Sequence, residues 1–588
     1  MTDEQRDQVR GVLAEATQGM SGIGCETMHA LSAGTSNWIS WCSGRGLFPI
    51  CAIEGEPGYD PETYRHFRDA QTTFIASMYP TGEAFEGWGK NFMFMEHMII
   101  IAKRDRAMCT LGSTAVRSAY NNYFPAAMVP WGDSFTFCDS LARSGCKIAR
   151  NADVLMYHAL FPSDKSGDFA YRNQINEDYA NVGQNSVNTH HPFAVMDTLC
   201  CAIFANDVDP VSREDEYAQV TADRPLTYFS EDTGNMITRS AWNKDALYID
   251  YLNRSIPGGH QYCDRSHFSL YGLGRFWSIY HYGRQVGAQY MPQMRSVLLA
   301  DEKGPSVMEA KCVSLTDQPL ATLQATDLTQ AWNYQTTGLE KAPKGVETIL
   351  NPFTYNDFRL NPSPIPWMNY PIGHLPNWQT SENPVAANQK APNGEWYKRY
   401  SVKKAFRTIG LVRGAHPYAL VADDLQLDDA SHHYDWGMVL DDDIVLGSSK
   451  VTGARTADVI LDEQMKPDKK SEVAPANDRH LLVRVLNADQ LSDNSISVGT
   501  FPLPNPPQRD MQINRLHITS DCASPDYKIL MFPFKTGQVL PETKWSEDQH
   551  SVTVTWPDQT DAITFTTGAD GRTRVKIVRG DTVVTEAR

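Results

Sequence analysis

The hydrophobic repeat changes period near residue 220, and a single sheet or bundle cannot accommodate both patterns. Up to about residue 210, apolar residues recur at helical spacing. "DEQRDQVRGVLAEATQGM", "PETYRHFRDAQTTFIASMY" and "NFMFMEHMIIIAKRDR" are the clearest cases. Asp60 followed by Pro61 in "GYDPETYRHF" marks a helix start, because aspartate accepts from free backbone N–H groups and proline tolerates the first turn. Loops rich in Gly, Trp and Pro lie between these stretches: "GTSNWISWCSGRG", "YPTGEAFEGWGKN" and "MVPWGDSFTFCDS". Helix pairs with such loops at one end suggest an (α/α) toroid whose loops line a groove.

Beyond residue 220 the period is 2 or the apolar runs are short, bounded by Gly, Asn or Asp, which reads as strands. "NMITRSAW", "DALYIDYLNR", "HFSLYGLGRFWSIYHYG", "RSVLLADE" and "LATLQATDLTQAW" are of this kind. Residues from about 341 to 397 are rich in Pro and Asn and read as an ordered irregular insertion. Strands resume at "FRTIGLVRGAHPYALVADDL". The tail, "SVTVTWPDQTDAITFTTGADGRTRVKIVRGDTVVTEA", is a run of antiparallel strands with "GADG" as a tight turn. At 588 residues the chain exceeds one hydrophobic core. The expected class is α+β and multidomain, an N-terminal (α/α) toroid followed by antiparallel β-sandwich domains. The expected boundaries are 1–220 for the helical domain, 221–460 for a central β-sandwich and 461–588 for a C-terminal β-sheet domain.

The net charge of −17 argues against nucleic acid or an anionic membrane surface as partners, since both need a basic footprint. It leaves an anionic sugar open, because a site needs only local donors. The 13 Trp and 25 Tyr suit sugar platforms and packed cores equally. The 11 Cys are scattered and form no metal-ligand spacing, so they read as small buried hydrophobes. The opening "MTDEQRDQVRGVLAEA" lacks a signal-peptide pattern. The expectation is a cytoplasmic protein, or a periplasmic or secreted one if a leader was removed. Oligomeric state is not readable.

One segment is hard to reconcile with a plain core strand. "GGHQYCDRSHFSLYGLGRFW" carries two histidines, an aspartate and a tyrosine ahead of alternating apolar residues. Together with its neighbours it resembles the heparinase II/III-like superfamily of polysaccharide lyases. The segment is similar to that family's G-H-x-H-x-D block, and "TGNMITRSAWNKDALYID" to its preceding strand pair. "RSVLLADEKGP", "LQATDLTQAW" and "FRTIGLVRGAHPYALVADDL" resemble the strands that follow. In the helical part, "SNWISWC" and "PTGEAFEGWGKNF" resemble its asparagine and E-G-x-x-Y loops. The likeness spans residues 35 to 440, and the order of the blocks carries it.

The resemblance implies a toroid, then a β-sandwich, and cleavage of a uronate polysaccharide by β-elimination. That reaction needs the C5 carboxylate neutralised, a base for the adjacent proton and an acid for the leaving oxygen. By resemblance His260 is the catalytic histidine and Asn37 the carboxylate-contacting asparagine. Tyr290 falls where some members carry a functional tyrosine, and Lys90 falls near the family's toroid tyrosine. Tyr262 and Tyr282 are alternative holders of that tyrosine role. Trp38, Glu86, Trp88, His190 and His191 are candidate sugar-binding residues. Arg239 has two readings, a partner for an acidic sugar and a structural partner for an internal carboxylate.

The departures bear on cofactors and activity. Where many members place a second, metal-binding histidine this chain has Tyr262, and "SIYH" offers no carboxylate at the later ligand position. No metal or other cofactor is therefore expected, with a structural divalent ion as the alternative. The toroid histidine is replaced by Trp38. The preferred substrate is alginate or glucuronan, because no basic run suggests a sulfated polymer. The alternatives are a heparin or glycosaminoglycan lyase, a non-catalytic glycan binder, and a glycoside hydrolase. The hydrolase would use carboxylates such as Glu54, Glu56, Glu83, Glu86 and Asp133.

Overall fold

The strand pattern beyond residue 220 produces the best-defined part of the molecule. The computed structural model describes residues 1–16, 46–47, 49–65, 67–68, 80–83, 113–127, 129, 221–253, 263–280, 291–306, 309–333, 335, 400–452, 455–464, 477–491, 495–501 and 513–586. The chain divides into two compact units, the first Met1–Thr221 with Pro257–Gln261 and Lys344–Gln389, the second Ala222–Ile256, Tyr262–Pro343 and Lys390–Arg588.

In the first unit the described residues are helical over 3–16, 49–52 and 61–65, and a helix at Ser113–Ser118 runs into a π-helical turn at Ala119–Tyr123 and a short helix at Phe124–Ala127. The helix at 61–65 begins as the sequence suggests. The Asp60 carboxylate accepts from the backbone N–H groups of Glu62 (3.1 Å) and Thr63 (3.2 Å), and these bonds with the Thr63 hydroxyl hold its pKa below the ordinary range. Leu47, Ile50, Ile53 and Phe67 are each buried. A Cβ at Gly46 would overlap the Phe67 ring. Closure of a toroid is a matter of residues outside those described.

In the second unit the described strands form four antiparallel sheets. The first contains β1 (Thr227–Phe229), β2 (Met236–Arg239), β3 (Tyr248–Leu252), β4 (His267–Gly272) and β5 (Arg275–Ser278), in sequence order. The largest has eight strands, including β7 (Lys311–Gln318), β8 (Ala321–Asp327), β9 (Lys404–Val412) and β10 (Tyr418–Gln426). Its other members are β12 (Ile444–Val451), β13 (Ala457–Glu463), β14 (Arg479–Val485) and β17 (Lys528–Lys535). A third sheet joins β6 (Leu298–Ala300), β11 (His432–Val439), β15 (Ile496–Phe501) and β16 (Ile513–Cys522). The fourth, β18 (Glu542–Trp545) to β22 (Thr582–Glu586), is a simple meander through β19 (Ser551–Thr555), β20 (Thr560–Thr567) and β21 (Thr573–Arg579).

The eight-stranded sheet is covered on both faces. Val421 of β10 joins Ile249, Phe268, Trp277, Trp436 and Ile529 in one core, while Leu420 joins Phe532, Val554, Ile563 and Ile577 in the other. Successive side chains of one strand thus feed different cores, which is why β10 reads as an apolar run rather than an alternation. The meander alternates cleanly, since only one of its faces meets the core.

Two expectations need correction. The boundary placed at 460 falls inside β13, which pairs with β14, and β14 pairs with β17. The strands either side of 460 share one ladder, and the separate C-terminal sheet begins only at Glu542. The stretch "LATLQATDLTQAW" is not strand throughout, because Thr329–Asn333 is helical. Asp327 starts that turn by accepting from the Thr329 N–H at 2.8 Å. Among the described residues no helix is long and apolar enough to cross a membrane.

Candidate active site at one end of the strands

Antiparallel pairing brings two chain connections to the same end of the first sheet. β3 ends at Leu252, opposite His267 at the start of β4. β5 runs back toward that end and finishes at Ser278, paired with Leu270 in the middle of β4. The connection between β3 and β4 carries His260 and Tyr262, and the connection from β5 to β6 carries Tyr282 and Tyr290. These four residues lie outside the described ones, as do Asn37, Trp38, Glu86, Trp88, Lys90, His190 and His191. The residues at the feet of the two connections are described, and they form one buried polar cluster.

Asp264, Arg265, His267, Tyr280, Arg295 and Ser296 are each at most 2% exposed. The Asp264 carboxylate accepts from the Tyr280 hydroxyl at 2.9 Å and from Arg265 Nη1 at 3.0 Å. The Arg295 guanidinium lies over the Tyr280 ring, 4.0 Å from its centroid, a favourable cation–π geometry. The His267 ring meets Tyr280 edge-on at 5.0 Å. His267 Nδ1 accepts from the Ser296 backbone N–H at 2.9 Å, and Nε2 lies 3.2 Å from Ser269 Oγ. A backbone N–H only donates, so Nδ1 carries no proton and this contact fixes the neutral tautomer with the proton on Nε2.

Arg407 of β9 closes the cluster from the eight-stranded sheet. Its Nη1 donates to the carbonyls of Ser266 (2.6 Å) and Ser296 (2.9 Å), one at the foot of each connection. Its Nε and Nη2 donate to both Asp423 oxygens at 2.6 Å. Burial works against the charge on Arg407, but Asp423 outweighs it and the guanidinium's pKa is raised. Ser266 adopts φ 67°, a left-handed conformation that a non-glycine residue holds only when its surroundings fix it. Glu309, before β7, is part-buried, and burial raises its carboxyl pKa, with Lys311 and Arg265 opposing and Asp327 adding to the rise.

The cluster is scaffold chemistry. Its groups are buried and bonded to one another, so they hold the feet of the two connections in place. Phe268 and Leu270 are in the core, and all six residues of β4 are buried. Among the described residues the fit to a divalent ion is poor. Asp264 and His267 are engaged as above, and the Ser278 hydroxyl donates to the Phe268 carbonyl at 3.2 Å. Among the described residues no group of three or more His, Cys, Asp or Glu side chains is placed to hold a metal.

Arg239 is the one candidate sugar ligand that is described. It is 1% exposed, with its guanidinium 3.6 Å from the Trp242 ring centroid and 4.4 Å from that of Tyr248. That packing favours the structural one of its two readings. Sequence reasoning passed over Tyr280, Arg295, Ser296 and Arg407. Only Arg407 had a usable signal. Counting inward from the turn in "LVRGAHPYAL" sets Arg407 opposite Asp423, the register observed. The Asp264–Tyr280 contact spans a hairpin with a register shift between Leu270 and Tyr271, which no simple count recovers.

Neither protein-family models nor curated proteins yield a match to this chain. Solved structures do. Heparan sulfate lyase HepC from Pedobacter heparinus is similar with a TM-score of 0.52 at 11% identity, over 92% of this chain and 64% of that one. Heparinase III gives 0.51 at 9% identity, over 94% of this chain and 67% of that one. A third, the heparinase III-BT4657 gene product, gives 0.51 at 9% identity, over 92% and 65%. The chain spans about two thirds of the length of these structures. At such identities the likeness is one of fold.

Proposed function

We propose that the chain is a polysaccharide lyase that cleaves an anionic, uronate-containing polysaccharide by β-elimination. The observation that carries this reading is the convergence of two connections on one buried cluster. The fold shared with solved structures named heparan sulfate lyase HepC and heparinase III supports it. His260 and Tyr262 sit on one of those connections, and Tyr282 and Tyr290 on the other.

In this reading Asn37 neutralises the sugar carboxylate, which makes the C5 proton acidic. His260 works beside it, and Tyr290, Tyr262 or Tyr282 relays the proton to the leaving oxygen. Lys90 is either a desolvated base or a carboxylate binder. Trp38, Trp88, Glu86, His190 and His191 hold the flanking sugars. The earlier preference for alginate or glucuronan rested on the lack of a basic run. One of the solved structures with this fold is named a heparan sulfate lyase and the other two heparinase III, so a glycosaminoglycan is the first polymer to try.

The test is the near-ultraviolet absorbance of the unsaturated uronate end. Wild type and His260→Ala are incubated with heparan sulfate, heparin, chondroitin sulfate, alginate and glucuronan. The expected result is a rise on a glycosaminoglycan that disappears in the variant. New reducing ends without the absorbance would mean hydrolysis, and binding without either signal would mean a non-catalytic glycan binder.

A further inference from the structure

We infer that His432 is a pH-dependent catch on the bend linking the eight-stranded sheet to the third sheet, closed while its imidazole is charged and released at Asp428 when the proton leaves. The catch works in the same way whether or not the chain is a lyase.

β10 ends at Gln426, and a bend at 428–431 carries the chain to His432, the first residue of β11. His432 Nδ1 lies 2.7 Å from Asp301 Oδ2, and Nε2 lies 3.0 Å from Asp428 Oδ1. Asp301 follows β6, a neighbour of β11 in the third sheet. A carboxylate only accepts, so both contacts are hydrogen bonds only when both ring nitrogens carry protons. This is the arrangement of an imidazolium between two carboxylates. A neutral ring has one N–H and serves one of them, and its other nitrogen then sets a lone pair against the second. Burial works against the charge on His432, but the bonds to Asp301 and Asp428 outweigh it and its pKa is raised.

The other groups near the ring are already accounted for. Tyr434 meets it edge-on at 6.2 Å, and Cys522 stands opposite His432 in the ladder of β11 with β16. Burial raises the pKa of both, so they stay neutral. His433 pairs with Asp521 at 2.9 Å, and Lys403, just before β9, pairs with Asp429. The two carboxylates on His432 are not equally fixed. Asp301 Oδ1 accepts from the His433 N–H at 3.0 Å, and the Asp301 N–H donates to the His433 carbonyl at 2.8 Å. Ala300 and Lys303 exchange backbone bonds of 2.8 and 2.9 Å around the same turn. Residues 428–431, in contrast, are exposed. Asp428 Oδ1 also accepts from the Ala430 N–H at 2.7 Å, whereas Asp301 Oδ2 has only His432 as a donor among the described residues. The last proton is therefore kept on Nδ1 for Asp301, and the contact of Nε2 with Asp428 is the one that breaks. The catch is closed below the raised pKa and opens as pH rises through it. The Lys403–Asp429 pair remains, so the bend loosens and does not unfold.

The test is a pH titration of the full chain by nuclear magnetic resonance, with labels in the histidine rings and the alanine methyls. His432→Gln identifies the His432 ring signal. The Ala430 methyl reports the bend, and the Ala300 methyl reports the turn after β6. The expected result is a ring midpoint above 6.5 with the remaining proton on Nδ1. The Ala430 order parameter should fall by about a third or more with the same midpoint, while Ala300 stays fixed. That step should vanish in His432→Gln. It should also vanish in Asp428→Asn, because an amide offers its oxygen to the charged ring and its N–H to the neutral one. A midpoint at or below 6.5, a last proton on Nε2, or loosening at Ala300 in place of Ala430 would overturn the catch. A step that survives in His432→Gln or in Asp428→Asn would overturn it as well.

Discussion

The C-terminal meander and the strand-end cluster are built by opposite rules. In β19 to β21 every second residue is buried, and Val552, Val554, Ile563, Phe565, Val575 and Ile577 fill one apolar core. In β3 and β4 every residue is buried, and Asp250, His267 and Ser269 go in with the apolar ones. The meander is stabilised by area removed from water, which tolerates many sequences. The cluster is stabilised by specific partners, and each group is costly once its partner is gone. The meander is not free of buried charge, since Asp561 of β20 is fully buried and accepts from Arg579 Nε and Nη2 at 2.6 and 2.9 Å. That pair lies at one end of β20, whereas at the strand-end cluster polar and apolar groups share one interior.

Breaking the cluster should have the largest effect. Arg407→Ala leaves Asp423 buried without its bidentate partner and two carbonyls without a donor, and should destabilise the second unit by about 3–5 kcal/mol in urea unfolding. Replacing Arg407 with Met and Asp423 with Leu together should recover much of that loss. A double variant as unstable as the single one would mean that the two carbonyl contacts, not the ion pair, matter. In the meander, Ile563→Ala should cost about 2–5 kcal/mol through lost burial and a cavity. Its exposed neighbour Thr566→Ala should stay within about 0.5 kcal/mol. Near-equal effects at the two positions would remove the distinction drawn here.

A smaller effect distinguishes a third kind of contact, made at the surface. His432 lies between Asp301 Oδ2 at 2.7 Å and Asp428 Oδ1 at 3.0 Å. Burial lowers its pKa, but the bonds to the two aspartates outweigh that and the net direction is up. The group binds its proton more tightly folded than unfolded. Its contribution is therefore full below the ordinary value of 6.5 and is lost as pH rises through the raised folded value. His432→Gln should lower the Tm in acid and approach the wild type in alkali. A gap that widens with rising pH would contradict the shift.

Most of the β architecture was legible because local pattern decided it. The pair β2–β3, the hairpin β4–β5 and the meander follow from apolar spacing and turn residues alone. The helix start at Asp60 followed from side-chain chemistry of the same kind. What was missed was set by distant pairing. No local signal tells β14 to leave the C-terminal strands and pair with β13 and β17 across position 460. Arg239 was left between an acidic-sugar partner and a structural partner for an internal carboxylate, because its contacts with the rings of Trp242 and Tyr248 are made by the fold and not by the local pattern. At the candidate site, the motif placed His260 and Tyr262 on the connection that the sheet carries to the cluster. Tyr280 was passed over because its partner Asp264 is 16 positions away across an irregular hairpin.

The central claim is eliminative cleavage, and product masses test it most directly. A size-defined heparan sulfate oligosaccharide is digested to completion and the fragments are weighed. Elimination requires fragment masses that sum to the parent, with the non-reducing piece closed normally and its partner one water short of the hydrolytic product. Fragments whose masses sum to the parent plus one water would show hydrolysis and contradict the lyase reading.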